Sequence, residues 1–363
     1  MPSQPRRHHY VTKAYLEGFL EPNERLLFCY GRKRAELFRA GPENLANIRD
    51  YHTVHRADGT LEMTLEEQIG QKIESPGLPI IRILSGGARE LSRSQRLSLA
   101  RLIALQNVRV PYQRDFMDHQ HKATLEGYIA DMNAESRRRG FPINALEVSI
   151  NVTGREPKSN EWFIVRRDSV MEELRAIEAD PGAFSRATFF ELAEKTAKTI
   201  SEMQWTILQA SERSPFISSD CPVVTRDKTG RRMFPGLKDQ ETEVLFPLSK
   251  GAMLRMDHCE LCQIFPRKNH VRRQRRAIKA PPQTIRREQA GDELVLLLNQ
   301  LVASRSHFWA FSGIDHPWLL QYMHATPSIP KRTRPRLESE APSLNSKGRL
   351  VSTKREFFVV TDE

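Results

Sequence analysis

The sequence is poor in cysteine and has no long apolar segment. It contains four cysteines among 363 residues, too few for the disulfide framework of a small secreted protein. No run of about 18 apolar residues occurs, which excludes a hydrophobic membrane-spanning helix. The first ten residues, MPSQPRRHHY, contain no apolar stretch typical of a secretory signal. We therefore expect a cytoplasmic protein in a reducing compartment, with no membrane partner.

Acidic residues are scarcer than basic ones. The chain has 56 Lys and Arg residues against 45 Asp and Glu residues, which gives a formal net charge of +11. A cationic chain attracts anionic partners, of which nucleic acid is the first candidate and an acidic membrane surface the second.

Part of the positive charge is concentrated in residues 267–287, which contain no acidic residue. We expect four arginines of this run to bind nucleic-acid phosphates. They are Arg272, Arg273, Arg275 and Arg276. The alternative is a basic loop that is merely solvated.

Apolar residues make up 39% of the chain, enough for a hydrophobic core, and their spacing predicts both strands and helices. Strands are expected in a hairpin over residues 26–39, in a short segment at 215–224, and in the region 243–265. Ser92 and Gln95 have the spacing of a capping box at the start of a helix.

Two further helices are predicted from Ser185 to Ala210 and from Glu293 to Phe311, because apolar residues recur there at helical spacing. Together these patterns predict an α+β fold, mostly helical, with one mixed or antiparallel sheet. We expect a single domain over residues 1–315. Pro, Ser, Lys and Arg become frequent towards the end of the chain, so residues 316–363 are expected to form a basic disordered tail.

The segment Pro215–Val224 places Ser219 and Asp220 between apolar residues. A buried carboxylate needs a hydrogen bond, an ion pair or a metal ion. Asp220 is therefore a candidate site residue at the end of a strand. The alternative is a turn in which Ser and Asp side chains bond their own backbone.

Two other segments carry polar residues next to apolar ones. His8 and His9 lie just before a short helix predicted from apolar residues, and adjacent histidines can bind a metal or transfer protons. Gln106 and Arg109 are three residues apart on a predicted helix, so they share one face, where the guanidinium group can bind a carboxylate or phosphate. The alternatives are a solvated histidine pair and an arginine that reaches bulk water.

Several short motifs occur in an order that resembles the bacterial domain-of-unknown-function family 4238. They are His8-His9-Tyr10-Val11 with Lys13, Tyr15-Leu16 and Phe19; Glu43-Asn44 followed by Tyr51; Ala104-Leu105-Gln106 with Arg109 and Pro111; Phe216-Ile217 with Ser219-Asp220 and Pro222-Val223; Phe246-Pro247-Leu248-Ser249; and Asn299 before Phe308. The resemblance covers about residues 7–315. Thr12 stands where the family tends to have Pro, and Cys221 where Asn is common. The family name carries no activity, so the resemblance indicates which residues cluster and leaves the reaction open.

If these segments converge, they combine imidazole, carboxylate and guanidinium groups in one pocket. That set suits hydrolysis of a phosphodiester in nucleic acid, with water activated by a histidine or by a divalent ion such as Mg²⁺ or Mn²⁺. The predicted catalytic residues are His8, His9, Gln106, Arg109, Ser219 and Asp220, and the predicted metal ligands are His8, His9 and Asp220.

The alternative is a non-enzymatic module that binds nucleic acid or a partner protein. In that interpretation His8, Arg109 and Asp220 form a buried structural network that holds the N-terminal segment against the core.

Overall fold

The computed structural model describes residues 7–55, 61–62, 64–150, 162–228, 236–258, 284–326, 336–339, 343–344 and 350–357. The chain divides into two compact units. Unit 1 consists of residues 1–111 and 189–329, and unit 2 of residues 112–188 and 330–363. Residues 112–188 contribute to a hydrophobic core of their own. The single domain expected over residues 1–315 stays a prediction.

The protein has an α+β fold. Its α-helices are α1 (Lys13–Leu16), α2 (Thr64–Ile69), α3 (Ser75–Ser85), α4 (Arg93–Val108), α5 (Pro111–Arg139), α6 (Arg167–Ala179), α7 (Ala183–Glu202), α8 (Asp292–Arg305) and α9 (Pro317–Ala325). A π-helical turn, Gly70–Glu74, joins α2 to α3. Within the described residues, none of the helices has both the length and the apolar character needed to cross a membrane.

The strands form several sheets rather than the one sheet expected from the sequence. They are β1 (Arg7–His9), β2 (Leu27–Gly31), β3 (Leu37–Ala40), β4 (Asn47–Arg49), β5 (Val54–His55), β6 (Leu61–Glu62), β7 (Ala145–Ile150), β8 (Trp162–Arg166), β9 (Gln204–Gln209), β10 (Ser218–Ser219), β11 (Val224–Asp227), β12 (Thr242–Ser249), β13 (Ala252–Asp257), β14 (Arg286–Gln289), β15 (Trp309–Ser312), β16 (Arg336–Ser339), β17 (Ser343–Leu344) and β18 (Leu350–Phe357).

In unit 1 the two larger sheets have the orders β10-β15-β2-β3 and β11-β12-β13-β9-β14. The hairpin β2–β3 and the strands β12 and β13 therefore lie in different sheets. The second sheet is mixed: β14 runs parallel to β9, whereas the other pairs of adjacent strands in this sheet are antiparallel. Two short pairs, β1-β4 and β5-β6, complete the strands of this unit.

The core of unit 1 lies between α8 and residues of both larger sheets. Val295, Leu298 and Val302 are spaced three and four residues apart, so they form one buried face of α8. They belong to the same cluster as Leu245 of β12 and Met253 of β13. This cluster also takes in Phe216 and Ile217, the apolar residues that precede β10.

Unit 2 has its own core, to which one face of α5 contributes. The buried residues of this cluster are Leu125, Tyr128, Met132, Leu146, Val148 and Val170. The sheet of this unit has the order β16-β18-β7-β8, with β17 also paired to β18. α9 and the strands β16 to β18 lie in the segment predicted as a tail; residues 327–335, 340–342, 345–349 and 358–363 are outside the described residues.

Local sequence signals gave the correct structure in several places. The hairpin over 26–39 is confirmed as β2 and β3, which pair antiparallel. The capping box is confirmed as well, since Ser92 Oγ accepts from the Gln95 N–H and the Gln95 side chain accepts from the Ser92 N–H.

Two predicted helices were too long. α7 ends at Glu202, and Gln204–Gln209 is the strand β9, although the sequence predicted one helix from Ser185 to Ala210. Trp205 and Ile207 are buried in this strand, which hydrogen-bonds to β13 on one side and β14 on the other. The residues have the aromatic and β-branched character that favours a strand.

The helix predicted from Glu293 to Phe311 ends at Arg305 as α8, and Trp309–Ser312 is the strand β15. The cause is a distant side chain. The carboxylate of Asp220 accepts the N–H groups of His307 and Phe308, which a longer helix would donate to its own carbonyls.

Candidate functional site

His8 and His9 lie on β1, a short strand held by β4. His8 is paired with Ile48 and His9 with Asn47. The residues that flank β4, Ala46 and Asp50, have φ values of +48° and +57°. Non-glycine residues in this left-handed region are strained, and such strain is concentrated at functional sites.

The two histidines have different surroundings, because successive side chains of a strand point to opposite sides. His8 is only 1% exposed, and its ring is stacked on that of His52, with 5.7 Å between centroids and 8° between planes. The backbone N–H of His52 donates to Nδ1 of His8 at 2.9 Å.

This hydrogen bond fixes the protonation of the His8 ring. Nδ1 accepts a hydrogen bond and therefore carries no proton, so in the neutral ring the proton is on Nε2. A histidine that ligates a metal through Nε2 normally donates its Nδ1–H to a neighbouring acceptor. The arrangement argues against the predicted role of His8 as a metal ligand.

Arg109 follows the last residue of α4 and lies at the centre of a buried hydrogen-bonded network. Its guanidinium group donates to Glu74 Oε1 at 2.6 Å, to Thr12 Oγ1 at 2.6 Å and to Gln106 Oε1 at 2.8 Å. Thr12 Oγ1 in turn donates to Glu74, and Gln106 Nε2 donates to the carbonyl of Tyr10. The network fixes the segment after His9 against α4.

Glu74 is the last residue of the π-helical turn, and Glu66 lies on α2, just before that turn. π-Helical turns occur frequently at functional sites. Glu66 Oε2 is 3.7 Å from Nε2 of His52. The Glu66 and Glu74 side chains are 35% and 21% exposed, whereas Arg109 is 1% exposed. The Glu66 and Glu74 side chains are therefore the more exposed members of this cluster, although Oε2 of Glu66 is itself buried.

Their surroundings shift the pKa values of the two carboxyl groups in opposite directions. Burial, followed by the negative charge of Glu74, raises the pKa of Glu66 to about 7, against the effect of Arg109. Burial would also raise the pKa of Glu74, but the charge of Arg109 and the hydrogen bonds from Arg109 and Thr12 lower it overall. Near pH 7 a carboxyl group that is about half protonated thus lies near an ionised one.

His9 lies near the same charged pair. Burial lowers the pKa of His9; the backbone carbonyl of Glu43 opposes this shift, and the positive charge of Arg109 adds to it. His9 is therefore neutral at neutral pH, in a state that can accept a proton.

Asp220 lies in a separate, fully buried network. Its Oδ1 and Oδ2 accept the N–H groups of His307 and Phe308 at 2.9 and 2.6 Å. Burial raises the pKa of Asp220 to about 7, although these hydrogen bonds and the charge of Arg32 act in the opposite direction. The neighbouring hydroxyl, Ser219 Oγ, is buried too and accepts the N–H of Cys221.

Comparison with known proteins identifies the family. The family model described as "Protein of unknown function (DUF4238)" matches residues 7–316. The chain belongs to the DUF4238 family. Neither curated proteins nor solved structures gave a match. The match includes every residue of the two networks, which confirms the resemblance seen in the sequence motifs.

In this DUF4238 protein the predicted site residues fall into two groups. Gln106 and Arg109 join each other and the residues after His9, whereas Ser219 and Asp220 bond the backbone around them. Tyr10 interacts with both groups. Its carbonyl accepts a hydrogen bond from Gln106. Burial, followed by the charges of Asp220 and Cys221, raises the pKa of its hydroxyl group. The expectation that all six residues line one pocket stays a prediction.

The sequence analysis did not select four residues of the candidate site: Thr12, His52, Glu66 and Glu74. Glu66 lies in the segment Thr64-Leu65-Glu66-Glu67, whose pattern is typical of a helix start, and nothing near Glu74 distinguishes it from a surface carboxylate. Thr12 was visible as the position where the family tends to have Pro.

Metal binding in this DUF4238 chain gains no support from the described residues. Among them, no group of three or more His, Cys, Asp and Glu side chains is arranged to hold an ion, and the set His8, His9 and Asp220 stays a prediction. The four arginines of the basic run lie in residues 259–283, outside the described residues.

Proposed function

We propose that this protein hydrolyses phosphodiester bonds in nucleic acid, and that Glu66 and His9 are its proton-transferring groups. The observation that supports this most is the partly exposed Glu66 side chain, whose carboxyl pKa is raised to about 7 near a Glu74 carboxylate whose pKa is lowered. Carboxyl pairs with separated pKa values are typical of acid–base sites. The net charge of +11 favours a polyanionic substrate.

The chemistry assigned to these groups is as follows. Water attacks the phosphorus atom and gives a proton to neutral His9. The bond from phosphorus to the leaving oxygen breaks, and the protonated Glu66 carboxyl group gives that oxygen its proton. His52 and the Arg109–Glu74 pair hold the two groups in place. No step of this chemistry is assigned to a metal ion.

The test is a nuclease assay on RNA, single-stranded DNA and duplex DNA, each with Mg²⁺, Mn²⁺ or EDTA. Glu66→Gln keeps the shape of the side chain and removes its proton transfer, so we expect activity to fall about 10²- to 10⁴-fold. Wild-type activity should also decrease as the pH rises through about 7, because Glu66 then loses the proton that it donates. The EDTA arm decides whether a metal ion is needed.

The matched control is Glu67→Gln, since Glu67 is the next residue of α2 and is exposed. It should retain wild-type activity. Equal activities of Glu66→Gln and the wild type would contradict the proposed role of Glu66.

A second function is favoured by the burial of the other predicted residues. Gln106, Arg109 and Asp220 are each at most 2% exposed, and the hydrogen bonds described above run to groups within the protein. A non-enzymatic module that binds nucleic acid would use such networks only for stability. Saturable binding of nucleic acid without cleavage under any of the assay conditions would favour this function.

A further inference from the structure

The end of the sheet β10-β15-β2-β3 presents aromatic side chains at the surface. Phe38 of β3 is 39% exposed, and its ring meets that of Trp309 edge to face, with 5.2 Å between centroids. Trp309 is paired with Gly31 and Phe38 with Cys29, two positions apart on β2, so both rings lie on one face of the sheet.

Gly31 is needed for this arrangement. A Cβ atom at Gly31 would lie only 2.7 Å from Cζ3 of Trp309. The absence of a side chain therefore lets the indole lie against the strand. A packed indole beside an exposed phenyl ring forms a rigid platform, because neither ring has many rotamers to lose.

Positive charge adjoins the platform. The hairpin loop between β2 and β3 contains Lys33 and Arg34, both exposed and neither part of an ion pair among the described residues. Lys33 Nζ lies 4.5 Å from the ring centroid of Phe308, the residue before Trp309. The loop has one exposed carboxylate, Glu36, whose side chain lies beside Gly31. Ala35 has a φ of +50°, so the loop holds a strained turn at its tip.

We propose that this surface, formed by Lys33, Arg34, Phe38 and Trp309, binds single-stranded nucleic acid. Bases stack on aromatic rings irrespective of sequence, and adjoining basic residues contact the phosphates. In a duplex the bases are already stacked on one another, which leaves only the phosphate contacts. The inference rests on the nucleic-acid substrate of the proposed function, and it does not depend on hydrolysis.

The test is fluorescence anisotropy with a labelled 12-nucleotide single strand and a duplex of the same sequence, with each oligonucleotide checked on a gel for cleavage. We expect the single strand to bind more tightly than the duplex. Phe38→Ala should weaken single-strand binding about tenfold. Replacing both Lys33 and Arg34 by Gln should reduce the slope of log K against log salt by about 1.4, since each lost phosphate contact accounts for about 0.7.

The controls are matched in residue type and exposure. Phe141 is 52% exposed, and Phe141→Ala should leave affinity unchanged. Lys198 and Arg213 are exposed basic residues of α7 and of the loop after β9, and their double replacement by Gln should leave the salt slope unchanged.

Wild-type affinity and salt slope in both the Phe38→Ala variant and the Lys33/Arg34 double variant would overturn the proposal, as would equal binding of strand and duplex. Binding without cleavage would support this surface while contradicting the proposed hydrolysis. Cleavage with wild-type affinity and salt slope in both variants would support the proposed hydrolysis and contradict this surface.

Discussion

Asp220 determines how the chain continues after α8. Its two oxygen atoms accept the N–H groups of His307 and Phe308, and its own N–H donates to the carbonyl of Trp309. Arg32 contributes an opposite charge on the other side of the same turn, where its guanidinium group donates to the carbonyl of Ala303. Both groups are buried, so each hydrogen bond replaces one that water would otherwise make.

Asp220→Asn should destabilise the protein, because the amide has one acceptor atom and its NH2 group would face a backbone N–H donor. The expected cost is about 1–3 kcal/mol, the usual penalty for a buried donor left without a partner. The measurement is the urea midpoint of wild type and variant. A loss of stability supports a structural role for Asp220, whereas unchanged stability with lost activity would support a catalytic or metal-binding role.

The pH dependence of this penalty follows from the raised pKa. The folded pKa of Asp220, about 7, lies above the ordinary value of 3.8, so its contribution to stability is fully present below about pH 4 and is lost as the pH rises through 7. Asparagine does not titrate. The penalty of Asp220→Asn should therefore shrink between pH 4 and 7, while Glu90→Gln, at an exposed position, should cost little throughout. A penalty that grows with pH would contradict this.

At the scale of elements, arginine side chains bind the carbonyl groups at the C-terminal ends of several helices. Arg32 donates to the carbonyl of Ala303 in α8 and to those of Met323 and Thr326 at the end of α9. Arg287 donates to the carbonyl of Leu84 in α3. The last carbonyls of a helix have no partner within it, and a guanidinium group can donate to several of them at once. Its positive charge is also favourable at the negative, C-terminal end of the helix dipole.

Arg96 binds the carbonyls at the C-terminal end of α7 and also packs against β9, the strand that follows. It donates to the carbonyls of Ser201 and Met203, and its guanidinium carbon lies 4.0 Å from the ring centroid of Trp205. Burial lowers its pKa to about 10, which leaves it charged at neutral pH. This arrangement explains why the helix stops where it does and β9 begins.

Arg96→Lys should lower the free energy of unfolding by about 1–3 kcal/mol, because an ammonium group cannot reach both carbonyls or stack on the indole with its planar face. The measurement is urea unfolding at pH 7. The matched control is Arg101→Lys on the same helix, where the arginine forms a partly exposed ion pair with Glu194 and the change should cost less than about 1 kcal/mol. Equal effects of the two variants would contradict the capping role.

At the scale of the whole molecule, the excess of positive charge is the property that most constrains the partner. The net charge of +11 belongs to the entire chain, and the basic run with its four arginines, which lies outside the described residues, contributes to it. Contacts to phosphates made by such residues contribute affinity without base recognition. We therefore expect binding of nucleic acid to depend strongly on salt.

Replacing the four arginines Arg272, Arg273, Arg275 and Arg276 by Gln should weaken nucleic-acid binding by a similar factor for every sequence tested. The salt dependence should flatten, since fewer counterions are released on binding. The measurement is the affinity for two unrelated oligonucleotides across a salt series. An unchanged affinity and slope would mean that the run is only a solvated loop.

The local structure of this protein follows from local sequence signals. The capping box at Ser92, the hairpin β2–β3 and the α+β class depend on side-chain spacing and turn residues close together in the chain. The family, too, was evident from short motifs, as the match over residues 7–316 confirms. The helix ends at Glu202 and Arg305 were not evident, because Arg96 and Asp220 set them from about a hundred residues away.

The candidate site likewise has residues that the sequence indicates and interactions that depend on the tertiary structure. The sequence by itself determined that His8, His9, Gln106 and Arg109 are unusual, because polar side chains stand beside apolar segments there. Only the tertiary structure decided that Arg109 pairs with Glu74, that Asp220 holds a backbone turn instead, and that the pKa of the Glu66 carboxyl group is raised. The pKa of a carboxyl group depends on its burial and on charges brought near it by folding, neither of which the order of residues states.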